Sequence, residues 1–312
     1  MSVHPPWHAE AWNRLRARLE SDRFPHALLI AGAEGLGKRE LARRLAARLL
    51  CRTPRDGDAC GECHDCRLFV AGTHPDRIIV GLEPNREGKL RSEIVIEQIR
   101  RLNERLAMTS QFNGRQVAVI DPADAMNVPT ANALLKTLEE PSPDSVLLLV
   151  ADRPSRLPPT IRSRCQRIDL HAPPRQEALA WLQEQGIADA DSALSAAGGN
   201  PGLARRWVED GSLDRRREVA RDLSALANGR ADARAVSLRW AEDAPVDRLW
   251  FAAQLAAMEL AHRQREGHGA ISRGLDAEAL TEWFTRANRA RDALRGYLRA
   301  DLVLLDLLSA WR

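Results

Sequence analysis

The sequence predicts an α/β fold: a parallel sheet with flanking helices over residues 1–170, a small helical domain over 171–210, and an all-helical domain over 211–312. Three observations carry that prediction. A short apolar run leads into a glycine loop and then an amphipathic stretch. Strand-like and helix-like segments alternate up to about residue 170, which implies right-handed crossovers and parallel strands. After Pro173-Pro174 the strand-like segments stop, and from about 213 onward the pattern is helical with few glycines, as in a helical bundle.

Taken in order, Ala27-Leu28-Leu29-Ile30 reads as a buried parallel strand ending just before a glycine. Residues 38–50 carry Leu41, Leu45 and Leu49 at helical spacing, with Ala42 and Ala46 beside them, and form one apolar helix face. Arg77-Ile78-Ile79-Val80 is the second strand, and residues 94–107, with Ile99, Leu102 and Leu106, are the next helix. Between them, residues 81–89 form a polar loop punctuated by Gly and Pro. Val117–Ile120 is the third strand, ending in Asp121. Asn132–Glu139 is helical, and Pro141 stops it. Ser145–Val150 and Gln166–Asp169 complete five strands. Residues 175–210 read as short helices broken at Gly198-Gly199-Asn200-Pro201. The last helices place Leu249, Leu255, Leu260, Leu294, Leu298, Leu302 and Leu305 among their apolar positions.

The first strand, the loop Gly32-Ala33-Glu34-Gly35-Leu36-Gly37-Lys38 and the following helix are the context a nucleotide phosphate loop requires. Gly32, Gly35, Gly37 and Lys38 are therefore candidate nucleotide-binding residues. In a working loop the next residue is Ser or Thr, whose hydroxyl holds Mg²⁺. Here it is Arg39, and a guanidinium has donors only. An anion can still sit on backbone N–H groups and Lys38 without a metal, so nucleotide binding stays open. At the end of the third strand, where such ATPases keep a Mg²⁺-binding Asp and often a Glu beside it, the sequence runs Asp121-Pro122-Ala123-Asp124. Pro122 cannot act as a base. Asp121 and Asp124 read equally well as strand-end and helix-cap residues.

Four of the five cysteines cluster as Cys51-x8-Cys60-x2-Cys63-x2-Cys66, and Cys165 stands alone. Four thiolates suit tetrahedral Zn²⁺ in a closed, structural site. An iron–sulfur cluster is the competing reading, but its usual fourth ligand lies downstream before a proline, whereas here it lies upstream. His64 falls between two ligands and is expected beside the site or exposed. The net charge of +3 with 44% hydrophobic and 29% charged residues is ordinary for a soluble domain protein and does not by itself argue for nucleic acid. A zinc-dependent DNA-binding module ranks low, because no basic and aromatic surface accompanies the cysteines. No apolar run is long enough to span a bilayer, and Met1–Trp7 lacks a secretory pattern, so a cytoplasmic location is the default expectation.

Two further segments, Asn132-Ala133-Leu134-Leu135-Lys136-Thr137-Leu138-Glu139-Glu140-Pro141 and Leu157-Pro158-Pro159-Thr160-Ile161-Arg162-Ser163-Arg164-Cys165, follow the phosphate loop and cysteine insert in an order that resembles the clamp-loader branch of the AAA+ proteins. The resemblance covers residues 1–210 well. It implies an AAA+ sheet domain with a zinc insert at 51–66, a lid domain and a C-terminal collar domain. It also implies that Arg164, with Ser163 and Cys165 of its motif, acts in trans as an arginine finger at a neighbouring subunit's ATP site. Sequence physics alone does not choose Arg164 over Arg162 or Arg167. The implied partners are gamma/tau and delta subunits in a hetero-pentameric loader, with the sliding clamp and primed DNA reached through the complex. Against active relatives the chain departs at Arg39, at Pro122, at Ala151-Asp152 where a sensor hydroxyl is usual, and at Gly202 where a sensor arginine is usual. These departures imply a non-hydrolysing, stator-like accessory subunit of a DNA-directed DNA polymerase. The alternative is an ATP-hydrolysing subunit of the gamma/tau type.

Overall fold

The computed structural model describes residues 4–20, 24–112, 114–266, 271–272, 275–294 and 298–311. Met1–Val3 of the N-terminal stretch lie outside the described residues. The chain divides into two compact units, Met1–Arg205 and Arg206–Arg312.

In the first unit five strands form one parallel sheet: β1 Ala27–Ala31, β2 Arg77–Val80, β3 Gln116–Ile120, β4 Ser145–Ala151 and β5 Gln166–Asp169, in the order β2-β3-β4-β1-β5. β1 and β4 lie at the centre and are buried along their whole length, which is why both read as unbroken apolar runs. The edge strand β5 alternates half-buried and exposed residues.

Helices α1 Ala9–Glu20, α2 Lys38–Leu50 and α3 His64–Ala71 cover one face. Trp12, Leu15, Leu41, Leu45 and Phe69 pack there against Leu28, Ile30, Leu148 and Val150. Helices α4 Ile96–Leu106 and α5 Val128–Glu139 cover the other. Ile99, Leu102, Leu134 and Leu138 meet Leu29, Ile78, Leu147 and Leu149. Each fully buried Leu or Ile contributes about 1.5–3 kcal/mol, so this two-sided core holds the strand ends in place.

Two differences from the sequence reading bear on the elements around the site. α5 begins at Val128 rather than Asn132, because Asn127 caps it by accepting from Thr130 N–H at 3.1 Å. Pro129 falls in the first turn, where a missing N–H costs nothing. The cysteine segment also contains a helix, α3, capped by the Cys63 sulfur.

Short helices α6 Pro159–Arg162, α7 Arg175–Glu184, α8 Ala190–Ala196 and α9 Pro201–Glu209 follow. The second unit is helical: α10 Ser212–Ala227, α11 Ala233–Glu242, α12 Pro245–Glu266, α13 Ala277–Ala293 and α14 Ala300–Ser309. Its core is built on fully buried Trp240, Trp283 and Trp311. Their indole N–H groups donate to Asp222 Oδ2 (2.8 Å), the Leu307 carbonyl (2.8 Å) and the Leu223 carbonyl (3.0 Å), so each of these three buried indoles has a partner for its polar atom. Among the described residues no helix is long and apolar enough to cross a membrane.

Candidate functional site

The strand order places the carboxyl ends of β1, β3 and β4 side by side, the position where ligands bind in open parallel sheets. β1 runs into the glycine loop and β3 into Asp121. Ala31 and Ala151 are register partners, so Asp152, the next residue, lies beside the start of the loop. Gly35 and Gly37 take φ of 87° and 77°, a backbone that disfavours a side chain. At Gly32 a Cβ would stand 2.4 Å from the Leu170 carbonyl oxygen.

Lys38 and Arg39 both find carboxylates inside the protein. The Lys38 ammonium, 3% exposed, lies 2.5 Å from Asp152 Oδ1 and donates to the Ala33 carbonyl at 2.7 Å. Arg39 Nε donates to Asp121 Oδ2 at 2.7 Å, and Arg39 Nη2 lies 4.0 Å from Asp152 Oδ2. Burial opposes the Arg39 charge, but Asp121 and Asp152 outweigh it and raise its pKa. Arg39, standing where the loop pattern expects a hydroxyl, thus engages Asp121 directly. Two cations face two carboxylates at the mouth of the loop, and Glu34 adds further negative charge near Arg39. Asp124 is buried and accepts the backbone N–H groups of Asp152 (3.3 Å) and Arg153 (3.0 Å), a capping role.

The loop is also contacted from two sides. Trp7 Nε1–H and His8 Nε2–H both donate to the Leu36 carbonyl, at 3.0 and 2.8 Å. Asn200 Nδ2–H donates to the Glu34 carbonyl at 2.6 Å. Gly202 approaches so closely that a Cβ there would stand 1.8 Å from the Gly35 carbonyl oxygen. A side chain at position 202, a sensor arginine included, has no room in this arrangement.

The four cysteines come together. Cys51 ends α2, Cys63 caps α3 and Cys66 lies within it. Their sulfurs all lie within 4.8 Å of one another, with Cys51–Cys60, Cys51–Cys63 and Cys60–Cys66 separations of 3.6, 4.0 and 3.9 Å. A tetrahedron with Zn–S bonds of about 2.3 Å has edges of about 3.8 Å. Outer contacts favour thiolates: Thr53 Oγ1–H donates to Cys60 Sγ at 3.3 Å, and the N–H groups of Cys60, Cys63 and Cys66 donate to Cys51, Cys60 and Cys63 at 3.3, 3.3 and 3.4 Å. The Thr53 hydroxyl and the Glu62 and Cys63 N–H groups bring the Cys60 pKa down to about 6. Burial pushes Cys51 and Cys66 up, so four thiolates this close need a cation to balance them. The residues fit a closed metal site. His64 is exposed and meets Phe112 edge-on.

Ser163-Arg164-Cys165 forms the turn between α6 and β5. Cys165 is buried in the sheet core, where desolvation pushes its thiol up to about 12, so it is an anchor and not a nucleophile. Ser163 Oγ–H donates to the Thr160 carbonyl at 3.2 Å. With Cys165 turned inward, Arg164 turns outward, where it meets Glu139 and the Thr160 carbonyl. Arg167 is paired with Asp169 on the β5 edge.

Sequence reasoning missed Asp152 and Glu139 as charge partners, and Trp7, His8 and Asn200 as contacts of the loop. Once β4 is known to lie beside β1, Asp152 follows from register. The other four come from distant segments and carry no local signal.

A family profile described as DNA polymerase III, delta subunit, matches residues 7–174. The DNA polymerase III subunit delta' of Pseudomonas aeruginosa is 40% identical over 239 residues, 75% of this chain and 70% of that one. The subunit delta' of Haemophilus influenzae is 35% identical over 71% of this chain and 66% of its own length. That of Escherichia coli is 35% identical over 64% and 59%. The chain therefore spans less than two thirds of the last two relatives. Because the profile takes in every strand of the sheet and the first relative is aligned over most of both chains, the chain belongs to the delta-prime subunit family of DNA polymerase III.

Proposed function

We propose that this chain is a non-hydrolysing, stator-like delta-prime subunit of a clamp loader. It helps load the sliding clamp on primed DNA by supplying Arg164 in trans to the ATP site of a neighbouring gamma/tau subunit. Its other neighbour in the hetero-pentamer is a delta subunit, and it works in the cytoplasm. Residues 1–170 serve as the AAA+ domain, 171–210 as the lid and 211–312 as one arm of the collar. Cys51, Cys60, Cys63 and Cys66 hold a structural zinc ion.

The observation that carries the non-hydrolysing reading is the internal pairing of Lys38 with Asp152 and of Arg39 with Asp121. A triphosphate site works by surplus positive charge and a metal at the transferring group. Here the cations are neutralised from within, and the metal's carboxylate is engaged by Arg39. Arg164 stands on the turn after α6, 35% exposed on its side chain, and its ion-pair partner Glu139 is 48% exposed, so that pair is open to solvent. A guanidinium of that kind suits a developing phosphate charge on another chain.

The test has two parts. The isolated protein is expected to show no DNA-stimulated ATP turnover; steady turnover that Lys38→Ala abolishes would overturn the reading. In the assembled loader, Arg164→Ala is expected to leave assembly intact and to lower ATPase. A finger is worth about 10³–10⁵ at the site it serves, diluted in the complex by sites it does not serve. An unchanged complex rate contradicts the finger.

A further inference from the structure

We propose that Glu139 is the resting partner of Arg164, holding its guanidinium until a nucleotide's terminal phosphate on the neighbouring subunit displaces it. The proposal rests on the arginine-finger reading above.

Arg164 Nη2 lies 2.5 Å from Glu139 Oε1, and Nη1 donates to the Thr160 carbonyl at 2.9 Å. Both terminal nitrogens are therefore occupied, and the side chain as a whole is 35% exposed. The backbone beneath is held by the inward Cys165 and by the Ser163 bond to Thr160. The rotamer of Arg164 is then set by two groups of unequal character. Thr160 belongs to the same turn and travels with it. Glu139 belongs to α5 and is a separate, charged anchor.

The position of Glu139 is informative. It is the last residue of α5, where the helix dipole disfavours an anion and favours a cation. A carboxylate there does nothing for the helix by itself. Placed against Arg164, it becomes half of an ion pair whose cation the helix end also attracts. The two side chains are 35% and 48% exposed, so the pair is weak and open to exchange. A terminal phosphate carries more charge than a carboxylate and can take two parallel N–H bonds from the guanidinium fork. It wins the exchange when it is present. A diphosphate brings no such group to that position, and Arg164 stays on Glu139. The pair is a positioning device that ties the finger's state to the neighbour's nucleotide.

The experiment uses the reconstituted loader with ATP, comparing wild type, Glu139→Gln, Arg164→Ala and the double variant. Gln keeps the length and an acceptor oxygen but removes the competing charge. Removing a weak competitor is expected to lower KM for ATP about two- to five-fold, with kcat unchanged because the ATP state has already released Glu139. In the Arg164→Ala background the same change is expected to leave KM where it was. A merely structural role for Glu139 would instead lower kcat or assembly. If Arg164→Ala slows the loader while Glu139→Gln leaves KM unchanged or raises it, the resting pair is overturned and the finger stands. If Arg164→Ala leaves the rate unchanged, the finger reading itself falls and takes this inference with it.

Discussion

Arg39 shows how one substitution changes the meaning of its neighbours. A hydroxyl at that position would share a cation with Asp121; a guanidinium is the cation, and it bonds Asp121 at 2.7 Å. Lys38 has likewise found Asp152, so the two basic residues of the loop are balanced by two acids from the ends of β3 and β4. His8 is a second residue-scale case. It is buried, donates from Nε2 to the Leu36 carbonyl, and has a pKa lowered chiefly by desolvation, with the carbonyl bond opposing. A histidine depressed in the folded state is neutral in both states above about pH 6.5 and carries no penalty there. As pH falls below 6.5 the unfolded chain takes the proton first, and stability drops until His8 itself is protonated. We expect the thermal midpoint of the wild type to fall between pH 7 and pH 5.5, and His8→Gln to make that decline shallower. The contribution is bounded at about 1.4 kcal/mol per pH unit. Thermal melts of the two proteins across that range, showing parallel declines, would exclude His8 as the group responsible.

At the scale of elements, α9 gives a prediction whose sign depends on tertiary contact. In an isolated helix Gly→Ala stabilises by up to about 1 kcal/mol. Gly202 stands in α9, yet its missing Cβ is what lets the helix approach the Gly35 carbonyl oxygen, which a methyl group would meet at 1.8 Å. Gly202→Ala is therefore expected to destabilise the protein by about 1–3 kcal/mol, as overpacking does, measured by denaturant unfolding. A more stable variant would show that the close approach is absent in solution. The cysteine segment is a second element-scale case. α2 delivers Cys51, α3 delivers Cys63 and Cys66, and the loop between them brings Cys60. Metal analysis is expected to give one zinc per chain in a colourless protein, and Cys66→Ser to lose both the metal and several degrees of thermal midpoint. A coloured, iron-containing protein would overturn the zinc assignment.

At the scale of the whole molecule, each unit has its own core. Trp283 is 2% exposed, donates to the Leu307 carbonyl and stacks edge-on with Trp311 at 4.6 Å. Truncating such a side chain typically costs about 3–5 kcal/mol. Trp283→Ala in the full chain is expected to weaken incorporation into the loader while leaving zinc content near one per chain. Normal assembly by a protein whose helical unit has lost its cooperative melt would remove the collar role of residues 211–312.

The sequence by itself determined a great deal of this. All five strands, the glycine loop between β1 and α2 and the four-cysteine cluster were legible because each depends on neighbours close in the chain: apolar runs of strand length, glycines where the backbone turns, and thiols with two to eight residues between them. The start of α5 lies four residues before the Asn132 read from the sequence, because Asn127 caps the helix through the Thr130 N–H. Only the tertiary structure decided which charges meet. Lys38 and Asp152, Arg39 and Asp121, and Arg164 and Glu139 are separated by tens of residues or more, and each pair exists because the strand order and the α5–α6 approach bring the ends of two elements together. The physical reason is that burial and periodicity are local properties of a sequence, whereas an ion pair is a property of two positions in space. For that reason Arg39 was visible from the start as a departure, and its partner was not.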